Sequence, residues 1–449
     1  MSQKIRKSLL SSSSSGMELL PWSVVEEEIL PKLSAESLAR FKLVSKFWKS
    51  LISSPRFIRW HFTHPKYCSH DNLNVPILRC FSKIDMYHEQ ELYFLLRGNQ
   101  FIKLLDPPQT MISPTRHKYL SSRLIGSCNG IMCFIAKTDP RFLKHEIILW
   151  NPSMQRKSLE IPLSVYLYDR SFFSEHLDFC GGLGYDAQND DYKIVHISYC
   201  SRRKTTRPFS CFVNIYSIKA RKWRVIDHTK QQQTSILSDD HIVEFGSSSQ
   251  TCADGKRVHW LVSCEMSRWR LVSFDMSDEI FDQMTLPDSV AMADWKQHVE
   301  LASLVGESLT LFVYDSKWST RTDYVVWVMK EYGVADSWTK LKISFGEPGK
   351  PLGFLNNSRN EFLFLQSGKL VSYDNESRQK TCFGIEGVSI MSCLGTYMES
   401  LVKLQKQVCR ANMMLINQDF PDHHHDHDIA FLFPPRDQGL FSNSYYGTE

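Results

Sequence analysis

Apolar positions near the start of the chain recur at helical spacing. Val25, Ile29 and Leu33 share one face, with Pro31 closing the segment. Ser34 can cap a second helix carrying Leu38, Phe41 and Val44, and a third short helix carries Phe47, Trp48 and Leu51. Ser54-Pro55 supplies the cap and first residue of a fourth, with Phe57, Ile58 and Phe62 on its buried side. Roughly 45 residues of short helices bury too little apolar surface to stand alone. Some of their apolar positions must cover something else, which marks a docking module.

After about residue 85 the period changes from helical to strand-like. Tyr93 to Leu96, a turn at Gly98-Asn99 and Phe101 to Leu105 predict a hairpin. Apolar strand, polar turn and shorter strand then recur from Ile147, Val213, Leu271, Tyr324 and Leu370, with matching aromatics Trp150, Tyr216, Phe274, Trp327 and Tyr373. Another hairpin precedes each of these, with turns at Asn129-Gly130, Asn189-Asp190, Asp254-Gly255, Gly306 and Asn356-Asn357. Two hairpins make a four-stranded unit, and at least five such units follow one another. Stacking them in a ring buries both faces of every sheet and protects the edges. A β-propeller of five to seven blades is the predicted architecture, because the stretch before Lys118 is only partly periodic.

Composition narrows the function classes. The 449 residues carry 53 basic and 49 acidic side chains, too balanced to argue for nucleic acid or an anionic membrane. The densest basic cluster, Arg202-Arg203-Lys204 with Arg207, sits in a Thr/Pro-containing stretch and reads as a solvated loop. The 12 Cys include no Cys-x-x-Cys pair, which removes sequence support for zinc ribbons and thioredoxin-type sites, and most lie in apolar runs as reduced core thiols do. No apolar stretch suits a signal peptide or a membrane span. The expectation is an intracellular protein of nucleus or cytoplasm. Residues 1–16 include a Ser/Gly linker and residues 406–449 a polar tail with His423, His424, His425 and His427. Both read as disordered, and the His cluster as low complexity rather than a metal site.

The N-terminal unit, residues 17–64, resembles an F-box in Leu20-Pro21, Ile29-Leu30, Leu33, SLARFKLVSKFWKSLI and SPRF. After a connecting segment over 65–86, residues 87–405 resemble the F-box-associated domain of plant F-box proteins, often grouped with F-box/kelch-repeat proteins. GSCNGI, LWNPS, GLGYD with NDDYKIV, IYSIKARKWR and TYMESLVKL carry this likeness. Trp22, Ser23, Val24 and Val25 follow Leu-Pro where members usually have an acidic pair, and Gly-Gly occurs only at Gly181-Gly182, unlike true kelch blades.

The resemblance implies a multidomain chain, a small all-α F-box followed by an all-β, β-propeller-like domain. It implies a non-catalytic, substrate-recruiting adaptor of an SCF-type ubiquitin ligase, with no cofactor. A Skp-family protein would bridge the F-box to cullin and the RING subunit, and the propeller would hold a protein substrate. The residues expected to contact the Skp-family protein are Leu20, Pro21, Ile29, Leu30, Leu33, Leu38, Val44 and Trp48, with internal helix packing as the competing role. The connections Asp169 to Gly182 and His228 to Phe245 are candidates for substrate contact.

The sequence carries no phosphate-cradle, zinc-protease or hydrolase-elbow motif. Gly182-Leu183-Gly184-Tyr185-Asp186-Ala187 fits a dinucleotide pattern formally, but a turn and strand follow where a helix is needed. Two alternatives stay open: a scaffold acting outside a ligase, and a propeller enzyme with a site in its central channel.

Overall fold

Helix signals early and strand signals later sort the chain into a helical unit and a ring of sheets. The computed structural model describes residues 21, 24–63, 75–83, 89–97, 100–103, 121–137, 145–154, 159–163, 177–200, 211–226, 242–251, 255–265, 268–293, 297–301, 308–315, 323–355, 360–384 and 388–404. The chain divides into Met1–Gln405, which holds every described residue, and Lys406–Glu449, which holds none. Leu20, the N-terminal linker, the Arg202–Arg207 cluster and the His-rich tail therefore lie outside the described residues.

Val25–Ile29 forms a wide turn and Leu30–Lys32 a 3-10 turn. Three helices follow: α1 (Ala35–Phe41), α2 (Lys46–Ile52) and α3 (Pro55–Thr63). Each begins at a serine whose hydroxyl accepts an orphan backbone N–H. Ser34 accepts from Ser37, Ser45 from Trp48 and Ser54 from Phe57, each at 3.2 Å. Val44, expected on the second helix, lies outside it. The Leu43 and Val44 N–H groups bond back three residues, to Arg40 and Phe41 at 2.9 and 3.1 Å, forming a turn. Ser45 is extended (φ −156°) and starts the next helix, so the helical face cannot continue past Phe41.

The first strands are β1 (Val75–Lys83), β2 (Glu89–Arg97) and β3 (Gln100–Lys103). Next come β4 (Ser121–Cys128), β5 (Ile131–Lys137), β6 (His145–Trp150) and β7 (Leu159–Leu163). They are followed by β8 (Leu177–Asp186), β9 (Asp191–Cys200), β10 (Cys211–Ser217) and β11 (Lys222–Ile226). Then β12 (Ile242–Thr251), β13 (Arg257–Cys264), β14 (Arg268–Asp275) and β15 (Phe281–Met284) lead to a short helix, α4 (Asp288–Ala291). Beyond it are β16 (Gln297–Leu301), β17 (Thr310–Asp315), β18 (Asp323–Met329) and β19 (Trp338–Ser344). The last are β20 (Lys350–Phe354), β21 (Glu361–Gln366), β22 (Lys369–Asp374), β23 (Lys380–Phe383) and β24 (Val388–Tyr397).

Among the described residues these strands make six four-stranded antiparallel sheets. Five are runs of four consecutive strands, β4–β7 through β20–β23. The remaining one is ordered β24-β1-β2-β3, so the last strand closes on the first, with Tyr397 opposite Val75 and Val388 opposite Ser82. β24 neighbours β4, β4 neighbours β8, β8 neighbours β12, β12 neighbours β16 and β20 neighbours β24, so the first strands face one another around the axis. The architecture is a six-bladed β-propeller, within the five to seven blades expected. β1 lies in the stretch 65–86 that reads as a connection; its closing partner is far away in sequence and no local pattern reveals it.

Burial explains the unbroken apolar runs in the middle strands. Val258 to Cys264 of β13 are all buried, because each sheet is covered on both faces. Odd and even residues serve different neighbours. In β6, Ile148 and Trp150 pack toward the preceding blade and Ile147 and Leu149 toward the following one. The five matching aromatics, Trp150, Tyr216, Phe274, Trp327 and Tyr373, all lie on the face toward the preceding blade.

The glycines of β8 serve close approach. A Cβ on Gly182 would stand 2.4 Å from Val258 Cγ1 of the next blade, inside any real contact, and Val258 is stiff and fully buried. The dinucleotide-like pattern is therefore a packing device, followed by a tight turn to β9. Gly182→Ala is expected to destabilise by about 1–3 kcal/mol. Adding Val258→Ala should return part of that loss in a double-mutant cycle read by urea unfolding. Two expected loops are also shorter than their sequence suggests. Leu177 to Gly182 belongs to β8 and Ile242 to Phe245 to β12, since Gly-rich and mixed segments can still pair when both sides are filled.

Candidate functional site

The helical unit has a small core of Leu30, Ala35, Leu38, Ile52 and Phe57, completed by Leu401 from beyond β24. Val25, Leu33, Phe41, Trp48, Leu51 and Met154 pack around it. This divides the residues expected at a partner surface. Leu30 and Leu38 are 1% and 0% exposed, so their surface is spent on the internal core. Leu33 and Trp48 are partly buried against it, with the Trp48 ring 5.6 Å from that of Phe41. Ile29 is 36% and Val44 68% exposed, and Pro21 is exposed. Leu20 lies outside the described residues.

Leu43, 87% exposed beside Val44, was not singled out from the sequence. The i, i+3 spacing of Leu38, Phe41 and Val44 hides it; the sequence sign is Ser45, a helix-capping residue directly after the pair, which turns two adjacent apolar residues outward. An exposed leucine and valine side by side on a turn form a compact apolar knob. Of the basic residues between 40 and 59, Lys46, Lys49 and Arg56 are exposed, Arg40 and Arg59 are paired with Glu36 and Asp190, and Lys42 is buried. Such a surface suits an apolar groove with an acidic rim.

Four blocks singled out from the sequence meet under this unit. In LWNPS, the Asn151 side-chain amide donates to the carbonyls of Val402 and Ser400 at 2.8 and 3.2 Å. The backbone N–H of Ser153 donates to the Tyr397 hydroxyl at 3.1 Å. In TYMESLVKL, Glu399 Oε2 accepts the Ala35 N–H at 3.2 Å, where a carboxylate suits a helix N-terminus. In GSCNGI, Gly130 (φ +75°) lies so close that a Cβ there would stand 2.5 Å from the Met398 carbonyl. In GLGYD with NDDYKIV, Asp190 and Tyr185 receive Arg59 of α3 at 3.0 and 3.3 Å. Hydrogen bonding from Tyr185 and the Arg59 charge hold the Asp190 carboxyl below its ordinary value. Burial and Asp190 push the Tyr185 phenol up to about 12. Arg59 and Asp190 are both more than half exposed, so this pair orients the helix and contributes only about 0–1 kcal/mol.

Lys42 is the opposite case. It is 8% exposed, its ammonium has no hydrogen-bond partner, and burial together with neighbouring Lys403 pulls its pKa down to about 8. The folded value lies below the unfolded one, so the folded state binds fewer protons between about pH 8 and 10.5 and stability rises across that window. Lys42→Met is expected to stabilise the helical unit by about 1–3 kcal/mol at neutral pH and to abolish that rise. Unfolding midpoints at pH 7 and 10 measure both effects.

Among the described residues no helix is long and apolar enough to cross a membrane. A family profile described as "F-box domain" matches residues 24–60, and one described as "F-box associated beta propeller domain" matches residues 86–408. Similar curated proteins include F-box protein CPR1 of Arabidopsis thaliana, 25% identical over 86% of this chain and 88% of that one. An F-box/kelch-repeat protein of the same plant is 27% identical over 70% of this chain and 77% of its own length. Among solved structures, TolB of Acinetobacter baumannii aligns with 71% of this chain and 67% of its own at 10% identity and a TM-score of 0.39. With a profile match across most of its length and an F-box ahead of it, the chain belongs to the F-box associated beta propeller family.

Proposed function

We propose that this protein is a substrate-recruiting, non-catalytic adaptor subunit of a Skp–cullin–F-box ubiquitin ligase. The observation that carries this is the outward-turned Leu43-Val44 pair on a unit matching the F-box domain. A Skp-family adaptor would receive this pair with Ile29, Pro21 and the open side of Trp48. Leu30, Leu33 and Leu38 would support the surface from within. The adaptor would link the chain to cullin and the RING subunit in nucleus or cytoplasm.

The propeller would hold the protein substrate at the end away from the helices. Antiparallel pairing sets Asp186 opposite Asp191 at one end of β8 and β9 and Leu177 opposite Cys200 at the other. Arg59 binds at the Asp190 end. The connections 164–176, 201–210 and 227–241 begin and finish at strand ends on the far side, at Leu163, Leu177, Cys200, Cys211, Ile226 and Ile242. A substrate held from those strand ends would leave the helical surface free, so that both partners could bind together.

The test is assembly. Co-expressed with a plant Skp-family adaptor and a cullin–RING pair, the full chain should elute as a single complex, and omitting the adaptor should release the cullin. A folded chain that leaves the adaptor free would sink the proposal.

A further inference from the structure

The segment after β24 belongs to the helical unit as much as to the ring. Leu401 is 0% exposed within a core otherwise made by Leu30, Ala35, Leu38, Ile52 and Phe57, and Glu399 accepts the first helical N–H of α1. Asn151 clamps Ser400 and Val402, and Leu404 is buried between the second and third blades. Tyr397, the last residue of β24, is itself paired with Val75, the first residue of β1. The segment therefore reaches this position only when β24 has closed the ring. Helices of seven, seven and nine residues have little stability of their own.

We infer that the helical unit folds only on a closed propeller, because ring closure delivers Leu401 and Glu399 into it. In the free chain the partner-binding surface is then preformed only where the ring is complete, which favours complete chains in the assembly. The use made of this coupling rests on the adaptor reading above; the coupling itself does not.

Hydrogen exchange on the full chain tests it without any partner. In Leu401→Asp, amides of α1, α2 and α3 should exchange on the order of 100-fold faster, while β8–β10 and β13–β14 keep their protection. Leu401→Ala, a milder truncation, should show the same regional pattern with about tenfold acceleration. Leu43→Asp should leave exchange unchanged throughout. Helices that keep full protection in both Leu401 variants would overturn the inference. Equal acceleration in blades and helices would also overturn it, since the segment would then be holding the ring and not the helices. If the wild-type chain ignores a Skp-family adaptor, the proposed function falls while the exchange pattern still decides the coupling.

Discussion

Replacing Lys193 with methionine is expected to cost about 3–5 kcal/mol of stability, the usual result of removing one partner from a buried ion cluster. The Lys193 ammonium lies 2.6 Å from Asp186 Oδ2 and donates to Glu279 Oε1 and the Met276 carbonyl at 2.7 and 2.8 Å. Asp186 is fully enclosed, and the cluster ties β9 to the β14–β15 turn of the next blade. Burial alone would raise the Asp186 pKa. Hydrogen bonds from Lys193, Asn189 and Ser277 outweigh it and hold the carboxyl well below the usual range. A depressed carboxylate stabilises above its unfolded value near pH 4 and loses that contribution as pH falls through its folded value. In the variant the same burial favours protonation. The stability gap is therefore largest at neutral pH and narrows as pH falls through the carboxylate range. Urea midpoints at several pH values measure it, and a gap independent of pH would contradict this account.

The second large effect separates surface from core within the helices. Leu30→Ala removes a side chain that is 1% exposed and should cost the helical unit about 2–5 kcal/mol. Leu43→Asp with Val44→Asp alters two exposed turn residues and should leave stability within about 0.5 kcal/mol. The same double change should weaken a Skp-family adaptor by about 30-fold or more, as expected for apolar anchors at an interface centre. Thermal unfolding beside binding separates the cases. Equal destabilisation by both variants would mean that the turn is structural.

Local chemistry made most of the ring legible. Asn129-Gly130 and Asn189-Asp190 mark real hairpins because positive φ is needed there and these residues supply it, with Asn129, Gly130 and Asp190 at +48°, +75° and +49°. The outer hairpins were readable from their aromatics because every blade must cover its predecessor in the same way. The first blade was readable only in its β2–β3 hairpin, since β1 pairs with β24 from the far end of the ring and neither strand carries a sign of its partner. The helical surface was half legible. Periodicity found Leu38 but put Ile29 on the first face where the structure buries Leu30, a residue that only the resemblance pointed to; neither says whether an apolar position meets its own unit or another protein. Leu401 was invisible in the same sense, one apolar residue in a tail whose position is set by ring closure.

The most direct test of the central claim is a calorimetric titration of the full chain with a purified plant Skp-family adaptor, beside Leu43→Asp/Val44→Asp. Saturable one-to-one binding by the wild-type chain, lost in a variant that unfolds at the same temperature, is the predicted result. No heat from a folded wild-type chain, or equal affinity for both, would contradict it.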